Sequence, residues 1–147
     1  MTGAIARFEM VLATTTRRLA DIGDLDAAAR PGAGRWSKKE ILGHLIDSAG
    51  NNHQRFVRAQ FAPRLEFPNY EQVEWVARQA YHTEPWPDLV NLWLLLNRHL
   101  LHVVKAMPAE VLGHELVIGG HPPMTLQVLV SEYLNHLEHH LNQIFAT

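Results

Sequence analysis

The C-terminal stretch of the chain places its apolar and aromatic residues at the spacing of an α-helix. Leu129, Tyr133, His136, His140 and Ile144 follow one another at steps of four, three, four and four, which is the stripe that a helix turns towards a core. Because residues four apart lie one above the other on a helix, His136 and His140 share this face. The stretch therefore predicts a core-facing helix that carries two imidazoles inward.

Two imidazoles on one helical turn are a common way to supply two ligands to a metal ion. The same pattern also fits two core histidines that bond to carbonyl groups or to each other. The pair alone leaves both interpretations open, and a third ligand elsewhere in the chain is needed to favour the first. The chain contains no cysteine, so any bound metal has to be held by nitrogen and oxygen ligands.

A second helix begins at the sharpest local signal in the sequence. Ser37 and Glu40 have the spacing of a capping box, and Trp36 and Ile41 that of a hydrophobic staple. From this start the helix is predicted to continue to about Gln60, before a proline stops it.

A polar row follows on the same helix, between apolar flanks. Its members recur at steps of three and four: His44, Ser48, Asn51 or Asn52, and Arg55. Such a row can line a cavity, or it can be the solvated side of the helix. The spacing alone does not decide between these two interpretations.

Two further long helices are predicted from amphipathic patterns, over residues 4–21 and from a cap at Asp88 to Met107. The segment 21–35 is rich in Gly, Pro and Asp and is predicted as a loop. Between the second and third long helices, a short helix is predicted near residues 70–81.

The last long helix is predicted to begin after Thr125 as its N-cap, following a loop or short hairpin over 111–124. No convincing strand pair is found. The pattern therefore predicts an all-α, antiparallel four-helix bundle with a longer connection between helices two and three, in which residues 1–147 form a single domain.

Composition excludes several classes of function. The net charge is −2 with neutral histidines, and only 19% of residues are charged, so nothing indicates binding to nucleic acid or to an anionic membrane. The longest apolar run, Leu92–Leu96, is far too short to span a bilayer, and no signal peptide is apparent. We expect a cytoplasmic protein whose apolar surplus, with 47% hydrophobic residues, leaves room for a homodimer contact.

Two motifs in this order resemble those of the DinB superfamily, most closely its YfiT-like branch. They are Trp36-Ser37-x-x-Glu40-x-x-x-His44-Leu45-x-Asp47-Ser48 and His136-x-x-x-His140-x-x-Gln143-Ile144. The resemblance implies a four-helix bundle, often dimeric, with a divalent metal, typically zinc or nickel, held by one histidine of the second helix and a pair on the fourth. Its ligands here would be His44, His136 and His140.

The resemblance implies that the metal is catalytic. It would have an open coordination position, and it would activate the water or thiol bound there. Similar proteins include S-transferases that use low-molecular-weight thiols such as bacillithiol or mycothiol, and others are described as metal-dependent hydrolases. The sequence does not choose between the two reactions. A bundle that binds a metal or a small ligand without turnover is the alternative.

The remaining polar residues have expected roles around such a site. Ser48, Asn51 or Asn52 and Arg55 are predicted to bind a small polar or anionic substrate, with Arg55 favouring a carboxylate. Gln143 is predicted to orient a ligating imidazole from behind. Glu40 is assigned to the capping box, and no side chain is predicted as a general base.

Overall fold

The computed structural model describes residues 1–146, which are mostly helical. The helices are α1 (Thr2–Ala20), α2 (Asp24–Ala28), α3 (Lys38–Arg58), α4 (Gln72–Gln79), α5 (Trp86–Ala106) and α6 (Leu126–Phe145). Short 3₁₀ turns lie at Tyr81–Thr83 and Ala109–Val111. No helix among the described residues is long and apolar enough to cross a membrane.

The four long helices pack around one hydrophobic core. Both α1 and α3 contact α5 and α6, whereas α1 and α3 barely touch each other. The first and second long helices therefore lie diagonally across the bundle, as do the third and fourth, which brings α3 and α6 side by side. This pairing matters because the second and fourth long helices carry the predicted histidines.

The start of α3 follows the predicted capping box. The Ser37 side chain accepts a hydrogen bond from the Glu40 backbone N–H at 3.2 Å, and the Glu40 carboxylate accepts one from the Ser37 N–H at 2.8 Å. Two of the unpaired donors at the helix N-terminus are thereby satisfied. The prediction of this helix start is confirmed.

Segment 21–35, predicted as a loop, contains the short helix α2. Its acidic side chains bind the first turn of α3: Lys38 pairs with Asp26 at 2.8 Å and Lys39 with Asp24 at 3.0 Å. Asp24 also accepts a hydrogen bond from the Trp86 backbone N–H. These contacts hold the segment against the bundle. A helix of five residues is too short to show a periodicity that would predict it.

A three-stranded sheet corrects the expectation of an all-α fold without a strand pair. Strand β1 (Arg64–Phe67) pairs in parallel with β2 (Glu115–Ile118), and β2 pairs antiparallel with β3 (Met124–Thr125). The strands have four, four and two residues, so most of their stability comes from partners distant in sequence. Short strands of this kind carry little local signal.

The ends of α5 and α6 are only partly as predicted. Helix α5 begins at Trp86 behind Pro85, and Asp88 lies within its first turn and not at its cap. Pro87, in the first turn, is well suited to its position because it lacks one of the N–H groups that a helix start leaves unpaired. Thr125 caps α6 as predicted, accepting a hydrogen bond from the Val128 N–H at 3.3 Å.

Candidate metal centre

Three histidines from two facing helices converge in the bundle. His44 comes from α3, and His136 and His140 stand one turn apart on α6. Their possible ligand atoms all lie within 4.8 Å of one another, and their ring centroids are 4.5 to 4.9 Å apart. The structure thus brings together the three histidines that the sequence pointed to.

The spacing of the ring nitrogens fits a single metal ion. His44 Nε2 and His136 Nε2 are 3.0 Å apart. Two nitrogens bound to one tetrahedral zinc at 2.0–2.1 Å would be separated by about 3.3 Å. Small side-chain movements therefore suffice to place all three imidazoles around one ion, with further coordination positions left for another molecule.

His140 is held in the tautomer that a metal ligand needs. Its Nδ1 lies 2.8 Å from Gln143 Oε1, so Nδ1 donates its proton and Nε2 keeps a free lone pair. The Gln143 amide nitrogen in turn lies 3.3 Å from His139 Nε2, which fixes the orientation of the amide. Gln143 therefore occupies the position behind the imidazole that the sequence predicted for it.

The other two histidines have partners that the sequence did not predict. Ser48 Oγ is 3.4 Å from His136 Nδ1, so Ser48 supports this imidazole. Ser48 also lines a small cleft beside the cluster. The Trp36 ring lies against His44 with 5.2 Å between centroids. His44 is 1% exposed, and its buried Nδ1 finds no hydrogen-bond partner among residues 1–146.

Burial keeps the histidine cluster neutral. Burial, together with the neighbouring imidazoles, lowers the pKa of His44 from 6.5 to about 3 and that of His136 to about 4. Burial also lowers the pKa of His140, although the hydrogen bond to Gln143 opposes this shift. Neutral imidazoles are the form that binds metal, so the site is ready for a cation at neutral pH.

The metal-free protein is expected to lose stability as pH falls from about 7 to about 5. In this range the unfolded chain protonates His44 and His136 near pKa 6.5, whereas the folded state does not. The unfolded state then binds more protons, so the free energy of unfolding decreases with decreasing pH. Thermal unfolding in EDTA measures the effect. A His44→Asn variant with an undiminished pH dependence would contradict this explanation.

A small cleft of about 160 Å³ adjoins the cluster on the side of His136. Of the residues predicted to bind substrate, Ser48, Asn52 and Arg55 line this cleft. Asn51 lies outside it, and its side-chain amide donates a hydrogen bond to the Asp47 carbonyl. The residues of the polar row on α3 are buried or half-buried. The row is therefore not the solvated side of the helix.

Arg55 gives the small cleft a positive group. Burial lowers the pKa of its guanidinium, although Tyr70 beside it acts in the opposite direction. Within residues 1–146, its guanidinium makes only one hydrogen bond, a long one of 3.5 Å to the Pro68 carbonyl. Tyr70 also lines the cleft, and burial raises the pKa of its hydroxyl to about 12, so this hydroxyl is protonated and able to donate.

A larger cleft of about 660 Å³ lies near the cluster, although none of the three histidines lines it. Gln143 and Trp36, which contact His140 and His44, belong to its wall. The segment between α2 and α3 forms much of the rest, with Arg30, Pro31 and Arg35. This cleft could not be predicted from the sequence, because its walls come from segments that are distant in the chain.

The model of the DinB superfamily matches residues 7–144 of this chain. No curated protein matches the chain in sequence. Among solved structures, YfiT from Bacillus subtilis superimposes with a TM-score of 0.85 at 18% identity, covering 99% of this chain and 83% of YfiT. YfiT is described as a probable metal-dependent hydrolase with an unusual four-helix bundle topology.

The mycothiol-dependent maleylpyruvate isomerase is a second similar structure, with a TM-score of 0.76 at 12% identity. A mutant of the same enzyme gives 0.78. Each match covers 95% of this chain but 58% of the isomerase, so the chain spans little more than half of that enzyme. At these identities the likeness shows a shared fold. With a family model matched along nearly its whole length and a bundle of the YfiT type, the chain belongs to the DinB superfamily.

Proposed function

We propose that the chain is a divalent-metal-dependent enzyme in which His44, His136 and His140 hold zinc or nickel. The observation that carries this proposal is the convergence of three neutral imidazoles, whose possible ligand atoms lie within 4.8 Å of one another beside the small cleft. A metal held by three protein ligands leaves a position for an exchangeable molecule, as in catalytic sites. The ion would supply Lewis acidity and lower the pKa of a thiol or water bound to it.

Transfer of a thiol to an electrophilic substrate is the first reaction that we propose for the site. The small cleft, lined by Ser48 and His136, gives a substrate access to the cluster. Mycothiol dependence of the similar isomerase agrees with a low-molecular-weight thiol as co-substrate. Hydrolysis by a water nucleophile remains the second reaction that the site supports.

The small cleft would hold the electrophilic substrate. Arg55 can bind a carboxylate, Asn52 can add a polar contact, and the protonated Tyr70 can donate a hydrogen bond. Buried Asn52 has an amide oxygen without a partner among residues 1–146. Ser48 would serve both the substrate and His136, and Asn51 would contribute less than the sequence predicted.

Cobalt(II) substitution tests this proposal directly. We expect the cobalt-loaded protein to develop a thiolate-to-cobalt absorption band with 2-mercaptoethanol, and the His140→Ala variant to develop none. A protein without this band that hydrolyses p-nitrophenyl acetate only when metal is bound would be a hydrolase. Metal uptake with neither property would contradict both enzymatic assignments and leave a metal-binding bundle.

Replacing Gln143 with alanine is expected to weaken zinc binding by about 10-fold or more, because loss of the partner behind a ligating imidazole typically costs 10- to 100-fold. Competition with a chromophoric chelator measures the affinity. Gln127→Ala, on an exposed side chain of the same helix, is the matched control. Equal affinities of the two variants would show that Gln143 does not support a ligand.

The homodimer and the cytoplasmic location stay predictions. Leu92 and Leu95 are 46% and 61% exposed on α5, which leaves apolar surface of the kind that a subunit contact covers. Sedimentation of the purified chain measures its oligomeric state. A monomer at all accessible concentrations would contradict the predicted homodimer.

A further inference from the structure

We propose that a third cleft, separate from the histidine cluster, binds an organic ammonium ion with an apolar body. This ammonium cleft has a volume of about 480 Å³ and is formed by α3, α4, α5 and the turn before α5, which is within the size range of sites for small ligands. None of the three histidines lines it. The inference therefore goes beyond the proposed function and does not depend on a bound metal.

The wall of the ammonium cleft is negative and has no cation of its own. Asp47 and Glu84 are the only charged side chains that line it. Within residues 1–146, neither of them forms an ion pair. Both carboxylates raise the pKa of the Tyr81 hydroxyl, so they act on the same part of the wall. A cation in the cleft would meet two negative charges that the protein leaves uncompensated.

The Asp47 carboxylate gives the strongest reason to expect a cation. Its Oδ1 accepts hydrogen bonds from Tyr81 and Gln79, but its Oδ2 has no partner in the part of the chain that the structure describes. The residue is only 4% exposed. Burying a carboxylate without a counterion is costly because the charge loses its hydration, and burial accordingly raises the pKa of Asp47. A positive charge in the adjoining cleft would offset this cost.

The rest of the wall suits an apolar body attached to the cation. Trp75 is 42% exposed and Leu92 is 46% exposed, and both line the cleft together with Ile46 and Leu96. An indole ring attracts a cation to its face and also packs against apolar groups. Carboxylates beside an aromatic ring therefore favour an ammonium ion over a neutral or anionic ligand of similar shape.

Three probes with the same phenyl ring and two-carbon chain test this inference: phenethylamine, 2-phenylethanol and 3-phenylpropionate. They are titrated into metal-free protein in EDTA, where an amine cannot coordinate a metal. The indole N–H signal of Trp75 in the NMR spectrum, identified by its loss in a Trp75→Leu variant, reports binding in the cleft. We expect phenethylamine to bind at least about 10-fold more tightly than the alcohol, since a hydrogen bond to a charged group is worth about this factor, and the carboxylate to bind most weakly.

The Glu84→Gln variant should reduce the preference for the amine over the alcohol, because it removes one of the two charges. Glu110→Gln makes the same change at an exposed carboxylate outside the cleft and should keep the preference. Equal affinities for the three probes, no shift of the Trp75 signal, or an unchanged preference in Glu84→Gln would overturn the inference.

A subunit contact is the competing occupant of this surface. If the chain dimerises through Leu92 and the dimer excludes phenethylamine, the cleft is part of that contact and the inference is wrong. Each of these outcomes leaves the proposed function untouched, because the cobalt experiment tests that function at the histidine cluster.

Discussion

Replacing His44 with alanine is expected to lower the affinity for zinc or nickel by more than about 100-fold. Loss of a group that merely supports a ligand costs 10- to 100-fold, and His44 would be a ligand itself, the only one of the three from α3. Competition titration with a chelator, on protein without a histidine tag, measures the change.

Controls for this prediction come from the same chain. His99→Ala changes an exposed histidine on α5 that stacks near His53 and His102, and it should keep full affinity for the metal. His140→Ala, on a half-buried side chain, removes a ligand with less effect on the core than a change at fully buried His44. Tight metal binding by both His44→Ala and His140→Ala would show that the cluster is not the metal site.

Replacing Gly43 with alanine is expected to lower the free energy of unfolding by about 2–3 kcal/mol, because overpacking a core typically costs about 1–3 kcal/mol and a hydrogen bond is lost in addition. A Cβ atom at Gly43 would lie 2.1 Å from the ring of Tyr81. The Tyr81 side chain is buried, and its hydroxyl donates a hydrogen bond to the Asp47 carboxylate at 2.7 Å. Urea unfolding measures the loss.

Gly50→Ala is the matched control, since Gly50 lies in the same helix and a Cβ there meets nothing within 4 Å. Alanine at an open helical position should stabilise the protein by about 0.5–1 kcal/mol. Opposite effects of the two variants are therefore expected. Equal stabilisation by both would mean that Tyr81 does not pack against α3 as the structure shows.

The histidine cluster could be located from the sequence because each part has a local signal. The capping box at Ser37 sets the start of α3, and the periodicity of α6 selects His136 and His140 while leaving His139 exposed. The family motif then added His44 to the pair. Helical spacing determines which face a side chain occupies, so this much follows from short-range order.

The surroundings of the cluster could not be predicted in the same way. Arg35 and Tyr70 belong to connecting segments, and their positions depend on the docking of α2 and on a sheet that pairs residues about fifty positions apart. Ser48 was predicted to bind substrate, but its contact with His136 depends on the packing of α3 against α6. Neither the pairing of distant segments nor the rotation of one helix against another is encoded in local spacing.

The role of the buried Asp47 carboxylate could not be predicted from local spacing either. In the sequence it is one more polar residue near His44. In the structure its Oδ1 accepts hydrogen bonds from Tyr81 and Gln79, which holds the end of α4 against α3, and burial raises its pKa. Its partners are more than thirty residues away, so a structural role could be recognised only from the fold.

X-ray absorption at the zinc edge tests the central claim most directly. Protein without a tag, loaded with one equivalent of zinc, should show three imidazole ligands at about 2.0–2.1 Å and a remaining light ligand. Addition of a thiol should replace that light ligand with sulfur at about 2.3 Å. A zinc ion bound by one or two imidazoles, or a spectrum unchanged in the His140→Ala variant, would contradict a three-histidine centre formed by His44, His136 and His140.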